Sequence, residues 1–269
     1  MIYRVFYGHG RCAAVANRYD VPMRIGILII GDEILTGRRQ DKHFANTLQA
    51  LARRSRRLWW ARFIGDDQAL LTHQLREVLQ SGDICFTFGG IGATPDDLTR
   101  QCMAAAHGVA LSRHPEAKAE IEAKFGAAAY PNRILMADLP AGARTIPNPV
   151  SRVPGFSVGH IHCLPGFPNM ALPMMEWVLD TCYASLPRDY PVHASVLVHN
   201  VPESVLIPWM NDFVARHPEL KLFSLPRTNE AGQPEIELGV AGTGDAPRVA
   251  LDEIKRMLET EGHRYSDPK

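Results

Sequence analysis

Three glycines and two carboxylates stand close together in Gly89-Gly90-Ile91-Gly92-Ala93-Thr94-Pro95-Asp96-Asp97-Leu98-Thr99. Glycine admits positive φ and leaves backbone N–H groups open to an anion, so Gly89, Gly90 and Gly92 read as a phosphate cradle. Two adjacent aspartates would repel a phosphate unless a cation intervenes, and the arrangement therefore predicts a divalent metal such as Mg²⁺, Mn²⁺ or Co²⁺. Thr94 or Asp96 is expected to cap a helix that begins near Asp97. The spacing is neither a Walker A loop nor a dinucleotide fingerprint, since no Gly-Lys-Ser/Thr follows. A tight connection with capping aspartates is the alternative reading of the same residues.

These residues need a rigid support, and the flanking sequence supplies one. Asp83–Phe88 is a short, almost wholly apolar run, as expected of a strand buried on both faces of a parallel sheet. A similar run, Met23 to Gly31, opens the fold; residues 1–22 lack any sustained period and read as a non-native or disordered extension, with Met23 the expected initiator. Beyond it come a helix carrying Phe44, Leu48 and Leu51, a strand from Leu58 to Ile64, and a helix carrying Leu71, Leu75, Val78 and Leu79. The glycine loop then leads to a helix with Leu98, Cys102 and Ala105. Alternating strands and helices of this length predict a parallel sheet covered on both faces.

Ligands in such sheets bind beyond the carboxyl ends of the strands. Three loops qualify, Gly31 to Asp41, Gly65 to Asp67 and Gly89 to Asp97, and each carries aspartate. Capping alone, worth about 1 kcal/mol, also accounts for Asp66 and Asp67. A fourth loop, Pro165-Gly166-Phe167-Pro168, follows the apolar stretch Phe156 to Leu164 and precedes a helix from Met174 to Tyr183. The intervening helix Pro115 to Phe125 and Asn148-Pro149 read as connecting structure.

After Leu186 the pattern resets to a strand (Val192–His199), a helix (Glu203–Ala215), two strands (Leu220–Leu225 and Ile236–Val240) and an amphipathic helix (Pro247–Thr260). This β-α-β-β-α unit has no glycine-rich loop, and His193, His199 and His217 lack metal-ligand spacing, so it reads as a packing or oligomerisation module. The domain expectation is 23–186 followed by 187–269.

Across the whole chain, 29 basic and 29 acidic residues balance, so no global field draws nucleic acid or an anionic membrane. The run Arg53-Arg54-Ser55-Arg56-Arg57 closes a helix and is expected to face water. Five cysteines, odd in number and without a C-x-x-C pair, argue against zinc and against a disulfide scaffold. No apolar run is long enough to cross a membrane, and the expected location is cytoplasmic.

Taken together, Gly31-Asp32-Glu33-Ile34-Leu35-Thr36-Gly37, Gly65-Asp66, the glycine loop through Thr99, Asn148-Pro149 and Leu164-Pro165-Gly166 resemble the MoaB/Mog molybdopterin-binding domain family. Within it, the stretch from Met23 to about Tyr183 is most similar to the N-terminal part of CinA, and Val201-Pro202-Glu203-Ser204 resembles the small module that follows there. The resemblance implies a three-layer α/β/α domain with a mostly parallel sheet, followed by a small α+β domain. It implies binding of a phosphorylated pterin or a nucleotide diphosphate, and self-association. The reaction it implies is metal-dependent hydrolysis of a nucleotide pyrophosphate such as ADP-ribose or, alternatively, adenylylation of molybdopterin; a noncatalytic binding module is the third reading.

By motif position the two family acids fall on Asp66 and Asp97, the expected metal ligands. Asp96 and Glu33 are the candidates to orient a water. Gly31, Asp32, Gly37, Asp41, Gly89, Gly90, Gly92, Thr94, Thr99, Pro165 and Gly166 are the expected ligand contacts. Three positions depart from the CinA pattern: Ala93 and Phe167 replace prolines, and His43 replaces an asparagine with a group that titrates near neutrality.

Overall fold

The computed structural model describes residues 23–268, so the expectation for residues 1–22 concerns a segment outside the described residues. The chain divides between Arg188 and Asp189 into two compact units. The first contains β1 (Ile25–Ile30), α1 (Asp32–Leu35), α2 (His43–Ala52), β2 (Trp60–Ile64), α3 (Gln68–Ser81), β3 (Ile84–Phe88), α4 (Thr99–His107), β4 (Leu111–Arg113), α5 (Pro115–Phe125), β5 (Asp138–Pro140), β6 (Arg144–Ile146), β7 (Gly155–Val158), β8 (Ile161–Leu164) and α6 (Pro168–Cys182). The second contains β9 (Val192–His199), α7 (Glu203–Arg216), β10 (Lys221–Thr228), β11 (Pro234–Gly242), α8 (Ala246–Thr260) and β12 (Arg264–Ser266).

The main sheet has six strands in the order β2-β1-β3-β8-β7-β6. The first four are parallel, and β7 and β6 run antiparallel to their neighbours. Alternation along β1 explains the three layers, because successive side chains point to opposite faces. Ile25, Ile27 and Ile29 join a core with α2 and α6, whereas Leu28 and Ile30 join one with α3 and α4. The helix following β1 therefore lies on one face and the helix following β3 on the other. Strand order reverses between these two strands, which is where a doubly wound sheet opens a ligand crevice.

Several local expectations are corrected. The helix after the glycine loop starts at Thr99 rather than near Asp97, and Leu98 at its N-cap offers no capping side chain. The apolar stretch Phe156 to Leu164 forms a hairpin turned at Gly159, and α6 begins six residues before Met174 because Pro168 opens it. Helix α2 buries Thr47, Ala50 and Leu51 and leaves Phe44 and Leu48 exposed. The arginine run is not simply solvated: Arg54 makes two 2.7 Å hydrogen bonds to Asp180, Arg53 pairs with Glu176, and the buried Arg56 donates to the Tyr183, Leu186 and Pro187 carbonyls. It therefore stitches the end of α2 to α6 and the chain just beyond.

The second unit is a four-stranded antiparallel sheet, β10-β11-β9-β12, whose core takes residues from α7 and α8. Strand β12 extends the expected β-α-β-β-α pattern by one element. Among the described residues no helix is long and apolar enough to cross a membrane.

Candidate functional site

Loops leaving β1, β2, β3 and β8 converge on one cleft of about 560 Å³. Its wall includes Gly31, Glu33, Asp66, Gly89, Gly90, Gly92, Thr94, Asp96, Asp97, Pro165 and Gly166. Asp66 and Asp97, which leave different strands, thus face a common space.

The glycine loop is held from beneath. Thr99 is fully buried, its Oγ1 donating to the Gly89 carbonyl at 2.9 Å and its N–H to that of Gly90 at 2.9 Å. Arg100, also buried, donates to the Gly92 carbonyl at 2.7 Å and reaches the Leu135 and Asp138 carbonyls. Gly90 has φ of 66°, and a Cβ there would strike the Thr99 hydroxyl. At Gly92 the obstacle would be the Asp97 carboxylate itself, so glycine is required for that side chain to lie against the loop. Asp97 Oδ2 accepts from the Thr94 N–H at 2.9 Å and from its hydroxyl at 2.5 Å. Asp97 thus stabilises the turn before the helix, while Thr94 serves the carboxylate rather than capping α4.

Asp66 and Asp32 tie the first two loops together reciprocally. The Asp32 N–H donates to Asp66 Oδ2 at 3.0 Å, and the Asp66 N–H donates to Asp32 Oδ1 at 3.2 Å. Burial pushes the Asp66 carboxyl above its ordinary value; the bond from the Asp32 N–H opposes this, and the negative charges of Asp32, Glu33 and Asp96 add to it. The neighbouring Asp67 caps α3 by accepting from the Leu70 N–H at 2.7 Å. Capping therefore falls to Asp67, while Asp66 lines the cleft.

Not every expected ligand contact reaches the cleft. Thr99 is occupied inside the loop, and Gly37 is exposed after α1. Asp41 accepts from the His43 and Phe44 N–H groups at 2.9 and 3.0 Å and so caps α2, beside a small adjoining hollow. His43 stacks on Phe88 with ring centroids 4.5 Å apart, and its Nε2 is 3.3 Å from the Gly166 carbonyl. Burial lowers its pKa from the ordinary value, against the raising influences of Asp41 and the Gly166 carbonyl, and so favours the neutral ring.

Sequence reasoning missed the cations that share the cleft, Arg39 and Lys124. Arg39 lies 3.6 Å from Glu33, and Lys124 sits over the Phe125 ring at the end of α5. Neither belongs to a local pattern. Met136, Val153, Phe167 and Met170 supply apolar wall, and Asn148 and Ser151 add polar edges.

A divalent cation fits this donor set in a particular way. Asp66 and Asp97 offer carboxylates from separate loops, and the negative charges of Asp32, Glu33 and Asp96 around Asp66, only Glu33 of them paired with Arg39 among the described residues, would favour a cation there. Among the described residues, no three His, Cys, Asp or Glu side chains form a metal-binding group. Two carboxylates completed by water and ligand phosphate are the usual environment of Mg²⁺, in contrast to an all-protein cage.

A family model described as "probable molybdopterin binding domain" matches residues 26–184, more than half of the chain and the whole of this cleft. The chain belongs to the molybdopterin-binding domain family. Its relatives place the chain in the CinA-like branch of that family. A CinA-like protein of Anaeromyxobacter dehalogenans (strain 2CP-1) is 36% identical over 273 residues, covering 91% of this chain and 67% of the relative. Another, from Anaeromyxobacter sp. (strain K), is 36% identical over 190 residues, 68% of this chain and 46% of the relative. The chain thus spans between about half and two thirds of these relatives. The crystal structure of the protein CinA, of unknown function, from Thermoplasma acidophilum is 28% identical with a TM-score of 0.53, covering 58% of this chain and 97% of that one.

Proposed function

We propose that the cleft binds a nucleotide diphosphate or a phosphorylated pterin and, with a divalent metal at Asp66 and Asp97, hydrolyses a nucleotide pyrophosphate such as ADP-ribose. The observation that carries this reading is the meeting of an anion-cradling glycine loop with two carboxylates from different strands in one cleft. Helix-terminal charge contributes about 0.3 to 2 kcal/mol toward an anion, far below the roughly 8 kcal/mol or more that enzymatic acceleration demands. When bound, the cation supplies the missing neutralisation of charge on the breaking anhydride.

The protein's own groups do the rest. Backbone N–H groups from Gly90 to Gly92 hold the phosphates, since that of Gly89 already donates to the Leu164 carbonyl, and Arg39 and Lys124 offset their remaining charge. Asp96 or Glu33 orients a water whose oxygen attacks one phosphorus; the bridging oxygen departs with the other phosphate, leaving AMP and ribose 5-phosphate. The apolar wall of Met136, Val153, Phe167 and Met170 suits a flat base or pterin ring.

Incubating the pure protein with ADP-ribose and Mg²⁺, Mn²⁺ or Co²⁺ tests this reading, with AMP as the expected product. A second reading is transfer of an adenylyl group from ATP to molybdopterin, in which the pterin phosphate replaces water as nucleophile and pyrophosphate leaves; the family description supports the pterin as a ligand. Adenylylated pterin from ATP, without AMP from ADP-ribose, would select it. Ligand-induced thermal stabilisation without either product marks a binding module.

A further inference from the structure

A second cavity of about 740 Å³ occupies the first unit, separated from the cleft by the 147–154 loop. Pro147, Pro149, Arg152 and Pro154 face this cavity, Ser151 and Val153 face the cleft, and Asn148 borders both. Asn148 is buried and pins the loop, accepting from the Val150 and Ser151 N–H groups at 3.1 and 3.0 Å and donating to the Ser151 hydroxyl and Val153 carbonyl at 2.8 and 3.0 Å. The partition is therefore a built element.

The antiparallel end of the main sheet forms one side of this cavity. Arg144 on β6 is directly opposite Ser157 on β7, which is opposite His162 on β8, so the three side chains share one sheet face. Ser157 Oγ is 2.8 Å from His162 Nδ1, and His162 Nε2 is 2.8 Å from the Tyr183 hydroxyl. His162 is 1% exposed, and burial first, then the Arg144 charge, pushes its pKa down to about 3, so the ring is neutral with one N–H. Among the described residues the buried Tyr183 hydroxyl has no other hydrogen-bond partner, so its proton goes to Nε2. The ring hydrogen then sits on Nδ1 and donates to Ser157 Oγ. This leaves the serine proton directed to the cavity that Ser157 lines.

Charge in the cavity is unevenly satisfied. Arg152 pairs with Glu120 at 3.0 Å, and Glu116 accepts from the Thr145 hydroxyl. Arg144 is half-buried and, among the described residues, has neither a hydrogen bond nor an ion pair. The exposed Trp177 and Pro173 of α6 provide a flat apolar wall.

We propose that this cavity is a second ligand site, taking a small organic anion, carboxylate or phosphate monoester, carried on a planar ring. Arg144 and the Ser157 O–H hold the anion, and Trp177 and Pro173 cover the ring. A guanidinium fork matches either oxyanion, and a concave, mostly apolar site with few convergent polar groups is the usual form of a small-molecule pocket.

Titration calorimetry and tryptophan fluorescence on the full chain, with benzoate, phenyl phosphate and inorganic phosphate as probes, test the site. At least one ring-bearing anion is expected to bind and to change Trp177 emission, and the stronger of the two identifies the oxyanion. Arg144→Gln should weaken binding about tenfold or more, with Arg144→Lys intermediate. The exposed Trp177→Ala should remove the fluorescence change, and Asp97→Asn in the other cleft should leave affinity unaltered. No binding of either ring anion, or an Arg144→Gln effect below about twofold, overturns the site. Inorganic phosphate binding as tightly as phenyl phosphate overturns the ring wall.

Discussion

In the second unit Glu253 lies 2.9 Å from His217 and 2.5 Å from Arg216, and Glu235 lies 3.0 Å from His199 and 3.2 Å from Arg227. In the cleft of the first unit, Asp66 instead faces Asp32, Glu33 and Asp96. The same residue types thus serve contrasting ends. Burial alone would raise the Glu253 carboxyl, but bonds from Arg216 and His217 outweigh it and hold the group below its usual range, whereas at Asp66 burial and like charge act together. Compensated acids staple strands and helices; crowded acids beside an open glycine loop carry an electrostatic cost that the proposed cation would relieve.

The largest expected effect tests the crowded side. Asp97→Asn keeps an oxygen that can accept from Thr94, so folding stability should change by less than about 1 kcal/mol. AMP release from ADP-ribose in metal-replete buffer should nonetheless fall about 100-fold, or roughly 2.7 kcal/mol. An unchanged rate would remove Asp97 from the mechanism.

Acid provides the next test, through a buried group that belongs to neither set. His162 has a folded pKa of about 3 against 6.5 when free, so between these values the unfolded chain binds the extra proton. Its contribution to stability is therefore intact above about pH 6.5 and is lost steadily as pH falls toward 3, about 2 kcal/mol by pH 5. Urea unfolding at pH 7 and 5 measures the slope, and His162→Gln should flatten it.

Gly92→Ala sharpens the glycine reading. The added methyl collides with the Asp97 carboxylate, so turnover should drop about tenfold while the melting temperature falls by only a few degrees. Equal activity would mean that the carboxylate swings away without consequence. The smallest effect is expected from the compensated side: Glu253→Gln should cost about 0.5 kcal/mol in urea unfolding and leave turnover untouched, since this pair is open to solvent screening.

The doubly wound sheet and the glycine loop were legible because their signals are local. An apolar run such as Ile84–Phe88 and glycines directly after it speak within a dozen residues. The start of α4 was not, because the Asp97 carboxylate, read as part of a helix beginning, is consumed by the Thr94 backbone and hydroxyl. Strands β4, β5 and β6 span only three residues each, too short for period-2 alternation to register. The roles of Arg54 and Arg100 depend on partners 126 and 35 residues away, respectively Asp180 and the Leu135 carbonyl, which no spacing rule reaches. Arg39 and Lys124 were overlooked for the same reason: only the closed fold brings them to one wall.

The Asn148 turn is a party wall between two chambers of unlike character, one with four carboxylates around a glycine loop and the other with the Arg144 guanidinium beside an apolar wall. Its internal bonds make it stiff, so a push on the Arg152 side would be carried to Ser151 as a shift of the whole turn and not absorbed as local slack. A molecule seated in either chamber would rest against the same pinned turn.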